Sequence, residues 1–275
     1  MGLGNFFLGT VLCPVTVVTP PGPMAGVSYC AGLPSLSPGL VCFCLAGPAT
    51  KARRDTSKLH AGRIYGGKEA VPHSRPYMVL LEKAVSKNRK AGSCGGFLVR
   101  EDFVMTAAHC NGGSIKVKLG VHNVQQEQGQ EMLVKQAFPH PNYDKEYNND
   151  IMLLKLEGNT VFTDRVRPIG LPQTEDEEVP KDCLVSGWGH TIRRVNKGCP
   201  VLQDLNVTLD ENQLCSDNHQ VCSSGLNGPA PGDSGGPLVC NGVAYGVVST
   251  KTRDNTYIYM RIPDYLDWIN DTMKN

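Results

Sequence analysis

Three short segments of this chain carry side chains able, together, to hydrolyse an acyl bond. That chemistry needs a hydroxyl nucleophile, a neutral imidazole to take its proton, and a carboxylate that holds the imidazole in the right tautomer. Thr106-Ala107-Ala108-His109-Cys110 sets a histidine among small residues, beside a cysteine through which a disulfide could fix it. Asn149-Asp150-Ile151-Met152-Leu153-Leu154 places an acid at the mouth of an apolar strand. Gly232-Asp233-Ser234-Gly235-Gly236-Pro237 puts a serine among glycines, which let backbone approach a ligand closely. A lone histidine is more often structural, and an acid at a strand mouth is more often a solvated turn residue. Chemistry is favoured because all three segments occur, in the order His109, Asp150, Ser234. The amides of Gly232 and Ser234 would then form an oxyanion hole, a contribution of about 3–4 kcal/mol per donor.

The elements that must position these residues read as strands. Ile115-Lys116-Val117-Lys118-Leu119 and Leu205-Asn206-Val207-Thr208-Leu209 alternate apolar and polar side chains. Asn241-Gly242, between Pro237–Cys240 and Val243–Val248, is a strong hairpin signal. Only the end predicts a helix, where Ile262, Leu266, Ile269 and Met273 follow a helical spacing around Pro263. Residues 64–275 therefore predict an all-β domain closed by a C-terminal helix. Residues 1–63 differ in kind: they hold 7 Pro and 9 Gly and no sustained periodicity, and are expected to be a disordered leader or propeptide. The run from Phe6 to Val18 is apolar enough for a signal-peptide core, but no Lys or Arg precedes it and Pro14 interrupts it.

Composition narrows the function classes. The 275 residues carry 27 basic and 26 acidic side chains, which excludes a nucleic-acid binder driven by bulk charge. Five of the bases and one of the acids fall in residues 1–63, so the domain itself is slightly acidic, with 22 against 25. No run of about 18 apolar residues exists to form a spanning helix. Eleven cysteines suit a disulfide-bonded secreted protein, and the odd count leaves at least one outside intramolecular bridges. Four of them, Cys13, Cys30, Cys42 and Cys44, lie in the leader; Cys42-Phe43-Cys44 is too closely spaced for a zinc clip, and no metal or cofactor is expected.

The segments around His109, Asp150 and Ser234 resemble the signatures of the chymotrypsin-like serine proteases. The resemblance extends to Ile64-Tyr65-Gly66-Gly67, to Ser186-Gly187-Trp188-Gly189 and to the closing helix, and so covers residues 64–275. Pro72-His73-Ser74-Arg75-Pro76-Tyr77-Met78 and Pro139-His140-Pro141-Asn142-Tyr143 are similar to the granzyme and mast-cell chymase branch. The resemblance implies two six-stranded antiparallel β-barrels with the catalytic cleft between them, Ser234 as nucleophile, His109 as base and then acid, and Asp150 as the orienting acid. It implies a zymogen: cleavage after Arg63 would free the Ile64 amine to pair with Asp233, since a buried charge needs a partner. Gly62-Arg63 is similar to the dipeptide removed in granzymes, and Arg63 equally suits a trypsin-like activator. The family's bridges imply Cys94–Cys110, Cys183–Cys240 and Cys215–Cys222, leaving Cys199 over in the domain, free or linking two chains in an otherwise monomeric protein. A fourth bridge of many relatives has no cysteines here; Ala230 and residues 251–256 stand in its place.

The same resemblance places the primary specificity pocket at Gly228 and Pro229, six and five residues before the nucleophile, where no acid stands to receive Lys or Arg. Ser249, Thr250 and Lys251 form the opposite wall, and Tyr257 falls where a small residue usually keeps the pocket open. A nonbasic preference for small or hydrophobic residues is expected; Lys251 and Arg253 offer the alternative of an acidic substrate residue. A noncatalytic binding protein on the same fold is the rival reading. Protein or peptide substrates, serpin-type inhibitors and granule proteoglycan are the implied partners, the last through Lys83, Lys87, Arg89 and Lys90 or Arg193, Arg194 and Lys197, which solvated loops explain as well. Secretion or granule storage is expected. Asn206-Val207-Thr208 and Asn270-Asp271-Thr272 are N-glycosylation sequons.

Overall fold

The computed structural model describes residues 64, 66–86, 89–192, 195–210, 215 and 219–274. The leader, Arg63, and Lys87, Arg193 and Arg194 of the basic clusters lie outside these residues. Two antiparallel assemblies make up the described domain. The first is a closed barrel of β2 (Met78–Ser86), β3 (Arg89–Arg100), β4 (Phe103–Thr106), β5 (Ser114–Leu119), β6 (Gln130–Pro139) and β7 (Met152–Leu156), in the order β2-β3-β4-β7-β6-β5. Strand β2 pairs with both β3 and β5, which closes the ring and removes its edges. The second is a seven-stranded sheet of β1 (Lys68–Glu69), β8 (Asp182–Gly187), β11 (Gln203–Thr208), β12 (Gln220–Ser224), β13 (Pro237–Cys240), β14 (Val243–Lys251) and β15 (Thr256–Arg261). Its order is β1-β11-β8-β13-β14-β15-β12, so the six expected staves are present with the short β1 added at one edge. A small hairpin of β9 (His190–Ile192) and β10 (Val195–Gly198) stands apart.

The alternation in the sequence accounts for the faces. In β5, Ile115, Val117 and Leu119 turn into the barrel, while Lys116 and Lys118 point outward to Glu131, at 2.8 and 3.6 Å. Strand β7 is apolar on both faces because it crosses the core, and only Lys155 is less than fully buried. The hairpin forms at Asn241-Gly242, whose φ values of 50° and 82° are those a type I′ turn requires. The expected helix begins one turn late: Pro263 opens a 3₁₀ turn over Ile262–Tyr265, and α1 (Leu266–Met273) follows. Ile262 of that turn and Leu266 and Ile269 of α1 join the same core cluster as Phe97, Phe103 and Leu154 of the first barrel.

The implied disulfides are all formed. Cys94–Cys110 ties β3 to the turn carrying His109, Cys183–Cys240 crosses β8 and β13, and Cys215–Cys222 closes a short loop. Cys199 is not part of a disulfide and is buried, at 4 % exposure, so the disulfide-linked dimer would first require the chain around it to open. The two assemblies meet through residues 169 and 170: the Ile169 amide donates to the Leu98 carbonyl at 2.9 Å, and the Ala244 amide to the Gly170 carbonyl at 3.0 Å.

Candidate active site

His109 and Asp150 both come from the first barrel. His109 sits in a 3₁₀ turn, Ala108–Cys110, just after β4, and the flanking disulfide holds that turn to β3. Asp150 precedes β7 behind a left-handed Asn149, φ 52°, which turns the chain so that the carboxyl points inward. The carboxyl is fully buried and accepts three hydrogen bonds: from His109 Nδ1 at 2.7 Å, from the His109 amide at 2.8 Å and from Ser249 Oγ at 2.5 Å. Two bonds to one residue fix both the position of His109 and its ring orientation. With Nδ1 committed to the carboxylate, the other ring nitrogen is the one left to accept a proton.

Ser234 comes from the second sheet, on the turn before β13. Its carbonyl accepts the Gly95 amide of β3 at 2.8 Å, so its backbone is stitched to the first barrel. The glycines around it are dictated by space. Gly235 has φ 82°, and a Cβ there would lie 2.0 Å from Thr106 Oγ1; Gly232 has φ 102° with its neighbour Gly189 Cα 3.0 Å from an added Cβ. Among the described residues the Gly232 and Ser234 amides have no acceptor, while those of Asp233, Gly235 and Gly236 are all bonded to backbone.

Asp233, beside Ser234, is fully buried. Gly189 donates its amide to Oδ1 at 2.7 Å and Ala230 its amide to Oδ2 at 2.9 Å. Burial pushes the carboxyl up to about 7 despite these two donors, and no cation faces it among the described residues. Ile64 is also fully buried; with the chain continuous through it, its nitrogen is a neutral amide and not an ammonium.

The cleft is a cavity of about 410 Å³ whose lining includes His109, Ser234, Tyr147, Pro229, Lys251 and Tyr257, and also Ser249 and Thr250. Gly228 does not face it. The Tyr257 ring, 1 % exposed, lies against that glycine so closely that a Cβ at Gly228 would fall 2.2 Å from two ring carbons. Lys251, opposite Tyr257 in the β14–β15 register, holds its Nζ 5.3 Å from the centre of the same ring.

Of the residues expected from sequence, the structure brings His109, Asp150, Ser234, Pro229, Ser249, Thr250, Lys251 and Tyr257 to one cleft, and places Gly232 and Asp233 beside it. Three contributions were not anticipated. Ser249 bonds the carboxyl of Asp150 as well as lining the cleft. Tyr147, at φ 65°, sets its ring edge-on to His109 with centres 5.5 Å apart. Gly187 and Gly189 make the Asp233 cradle, where a Cβ would lie 2.1 and 2.4 Å from the carboxyl oxygens. The spacing of those two glycines around Trp188 was the available signal.

Comparison with known proteins agrees with this geometry. The trypsin family model matches residues 64–269. Duodenase-1 of Bos taurus is 45 % identical over 233 residues, covering 78 % of this chain and 90 % of that protein. Granzyme B(G,H) of Mus musculus is 39 % identical over 236 residues, 80 % of this chain and 94 % of the relative, and mouse cathepsin G is 40 % identical over 230 residues, 78 % and 87 %. A solved structure described as "Structure of GrC" superposes with a TM-score of 0.69 at 38 % identity, over 76 % of this chain and 99 % of its own.

Proposed function

The chain belongs to the trypsin family of serine endopeptidases, and on that premise we propose that it is made as a zymogen and, once cleaved after Arg63, cuts protein chains after small nonbasic residues. The observation that carries the reading is the buried Asp150 carboxyl holding His109 at 2.7 and 2.8 Å in the cleft that Ser234 also lines. Ser234 Oγ adds to the scissile carbonyl while His109 takes its proton; Asp150 stabilises the imidazolium, and the Gly232 and Ser234 amides receive the oxyanion. Collapse of the tetrahedral intermediate passes that proton to the leaving amine, and water repeats the cycle on the acyl-enzyme. Its intact His109–Asp150 pair favours this over a binding protein on the same fold.

Cleavage supplies what Asp233 lacks. The liberated Ile64 ammonium, moving into the domain, compensates the buried carboxylate and fixes the turn that carries Gly232 and Ser234. The uncleaved chain keeps that turn without its ion pair.

The pocket is short because Tyr257 covers Gly228, which leaves room for small side chains, and Lys251 in its lining disfavours basic ones. Lys251 also supports a second reading, a short acidic side chain drawn to its ammonium. In line with its granzyme-like and mast-cell relatives, the protein travels the secretory route; no helix among the described residues is long and apolar enough to cross a membrane. A library of fluorogenic tetrapeptides tests the specificity after cleavage by an arginine-directed protease. Turnover after Ala, Val or Asp fits the proposal, the last selecting the Lys251 reading, and turnover mainly after Lys or Arg contradicts both.

A further inference from the structure

The two sequons differ in the fold. In Asn270-Asp271-Thr272 the threonine is buried on the packing face of α1. In Asn206-Val207-Thr208, on β11, the strand alternation turns both Asn206 and Thr208 outward and Val207 inward. The Asn206 side-chain amide has no hydrogen-bond partner among the described residues, and Thr208 Oγ1 donates to Asp182 Oδ1 at 2.9 Å.

Asn206 also lines a groove of about 510 Å³ that shares no residue with the catalytic cleft. Across three strands the register sets Asn206 beside Leu184 and Leu184 beside Val239, which gives the groove an apolar floor extended by Tyr77. Its rim is polar, with Arg75, Asp182 and Asn241. Arg75 donates from one guanidinium nitrogen to buried Asp204 at 2.9 Å and from the other to the Ser74 carbonyl at 3.0 Å, whereas its buried Nε–H has no acceptor among the described residues. An apolar floor inside a polar rim suits a pyranose that carries an acetamido group: its C–H face and methyl cover the floor, and its oxygens meet the exposed polar groups of the rim.

We propose that Asn206 carries an N-linked glycan whose first N-acetylglucosamine seats in this groove. In the secretory pathway the Asn206 amide nitrogen would displace a lipid diphosphate from the anomeric carbon of a lipid-linked oligosaccharide. The C–O bond to phosphate breaks, the N–C bond forms, the amide loses one proton and the lipid diphosphate leaves. The reaction takes place on the extended chain; the fold then receives the sugar.

Mass spectrometry of the full chain recovered from mammalian secretory cells tests occupancy, using release by peptide-N-glycosidase F in ¹⁸O-water. An ¹⁸O-labelled aspartate at position 206 is the expected result, and an unmodified Asn206, or label at position 270 alone, overturns the site. The seating is tested on chain trimmed by endoglycosidase H to a single sugar, compared with the same sequence made under tunicamycin. The trimmed form is expected to melt about 2–4 °C higher, the scale set by one net hydrogen bond in a domain of this size. Equal melting temperatures overturn the seating.

Discussion

The first barrel and the second sheet contribute to one cleft but are finished differently. The barrel closes on itself, and the carboxyl and the turn it brings to the site are held inside the chain: Asp150 by His109 and Ser249, and the His109 turn by the Cys94–Cys110 bridge. The second sheet builds the Ser234 turn around Asp233, a buried acid whose two amide donors leave it without a counter-charge among the described residues. In the proposed activation, His109 and Asp150 are therefore set before any cleavage, whereas Ser234 and the Gly232 and Ser234 amides await the Ile64 ammonium. The proposed zymogen control is thus localised to one of the molecule's two halves.

Substitutions on either side sharpen the contrast. Ser234→Ala, in the second half, is expected to lower kcat of the cleaved enzyme by about 10⁶-fold without moving its melting temperature. Asp150→Asn should cost about 10⁴-fold by turning His109 to the wrong tautomer. It does so on the finished side, so the loss is the same at every degree of Arg63 cleavage. Active-site titration against peptide turnover checks both.

Asp233 gives the comparison its pH signature. A carboxyl raised from 3.8 to about 7 by folding binds a proton more tightly in the native state than in the unfolded chain. Its contribution to the uncleaved form is thus full below about pH 4 and lost as pH rises to about 7, a difference of about 4 kcal/mol at 1.4 kcal/mol per unit. Melting of the uncleaved chain should fall across that window. The Arg63-cleaved form should show no such fall, because the Ile64 ammonium draws the carboxyl back down. Asp233→Asn should flatten the first curve and prevent activation on cleavage. Smaller effects belong to the pocket and its wall. Tyr257→Ala should shift preference toward larger apolar side chains by about 10- to 100-fold in kcat/KM, since roughly 1–3 kcal/mol separates side chains that differ by a methylene group in such pockets. Ser249→Ala, which removes one of three bonds to Asp150, should cost about tenfold or less.

The legible parts of this site were the local ones. His109, Asp150 and Ser234 each stand in a short segment whose neighbours do structural work: small residues and a cysteine at the histidine, an apolar strand behind the acid, glycines whose left-handed or crowded positions only glycine can fill. The Asn241-Gly242 hairpin and the alternation of β5 were readable for the same reason. What could not be read is nonlocal. Gly189 meets Asp233 across 44 residues and Ser249 meets Asp150 across 99, and neither spacing leaves a pattern in the chain. Tyr257 was visible as an oddity, but that its ring covers Gly228 is a fact of packing between β15 and the segment before Ser234. Tyr147 depends on a left-handed turn with no glycine to announce it.

The reactivity of Ser234 before and after the cut at Arg63 distinguishes the two halves most directly. A fluorophosphonate probe, with labelling rates measured on the uncleaved chain and on a form whose N-terminus is verified as Ile64, reads that reactivity without a peptide substrate. Labelling of the cleaved form about 10³-fold faster or more is predicted, the scale of a restored oxyanion donor. Equal rates in the two forms would contradict the claim that the second half is completed only by cleavage.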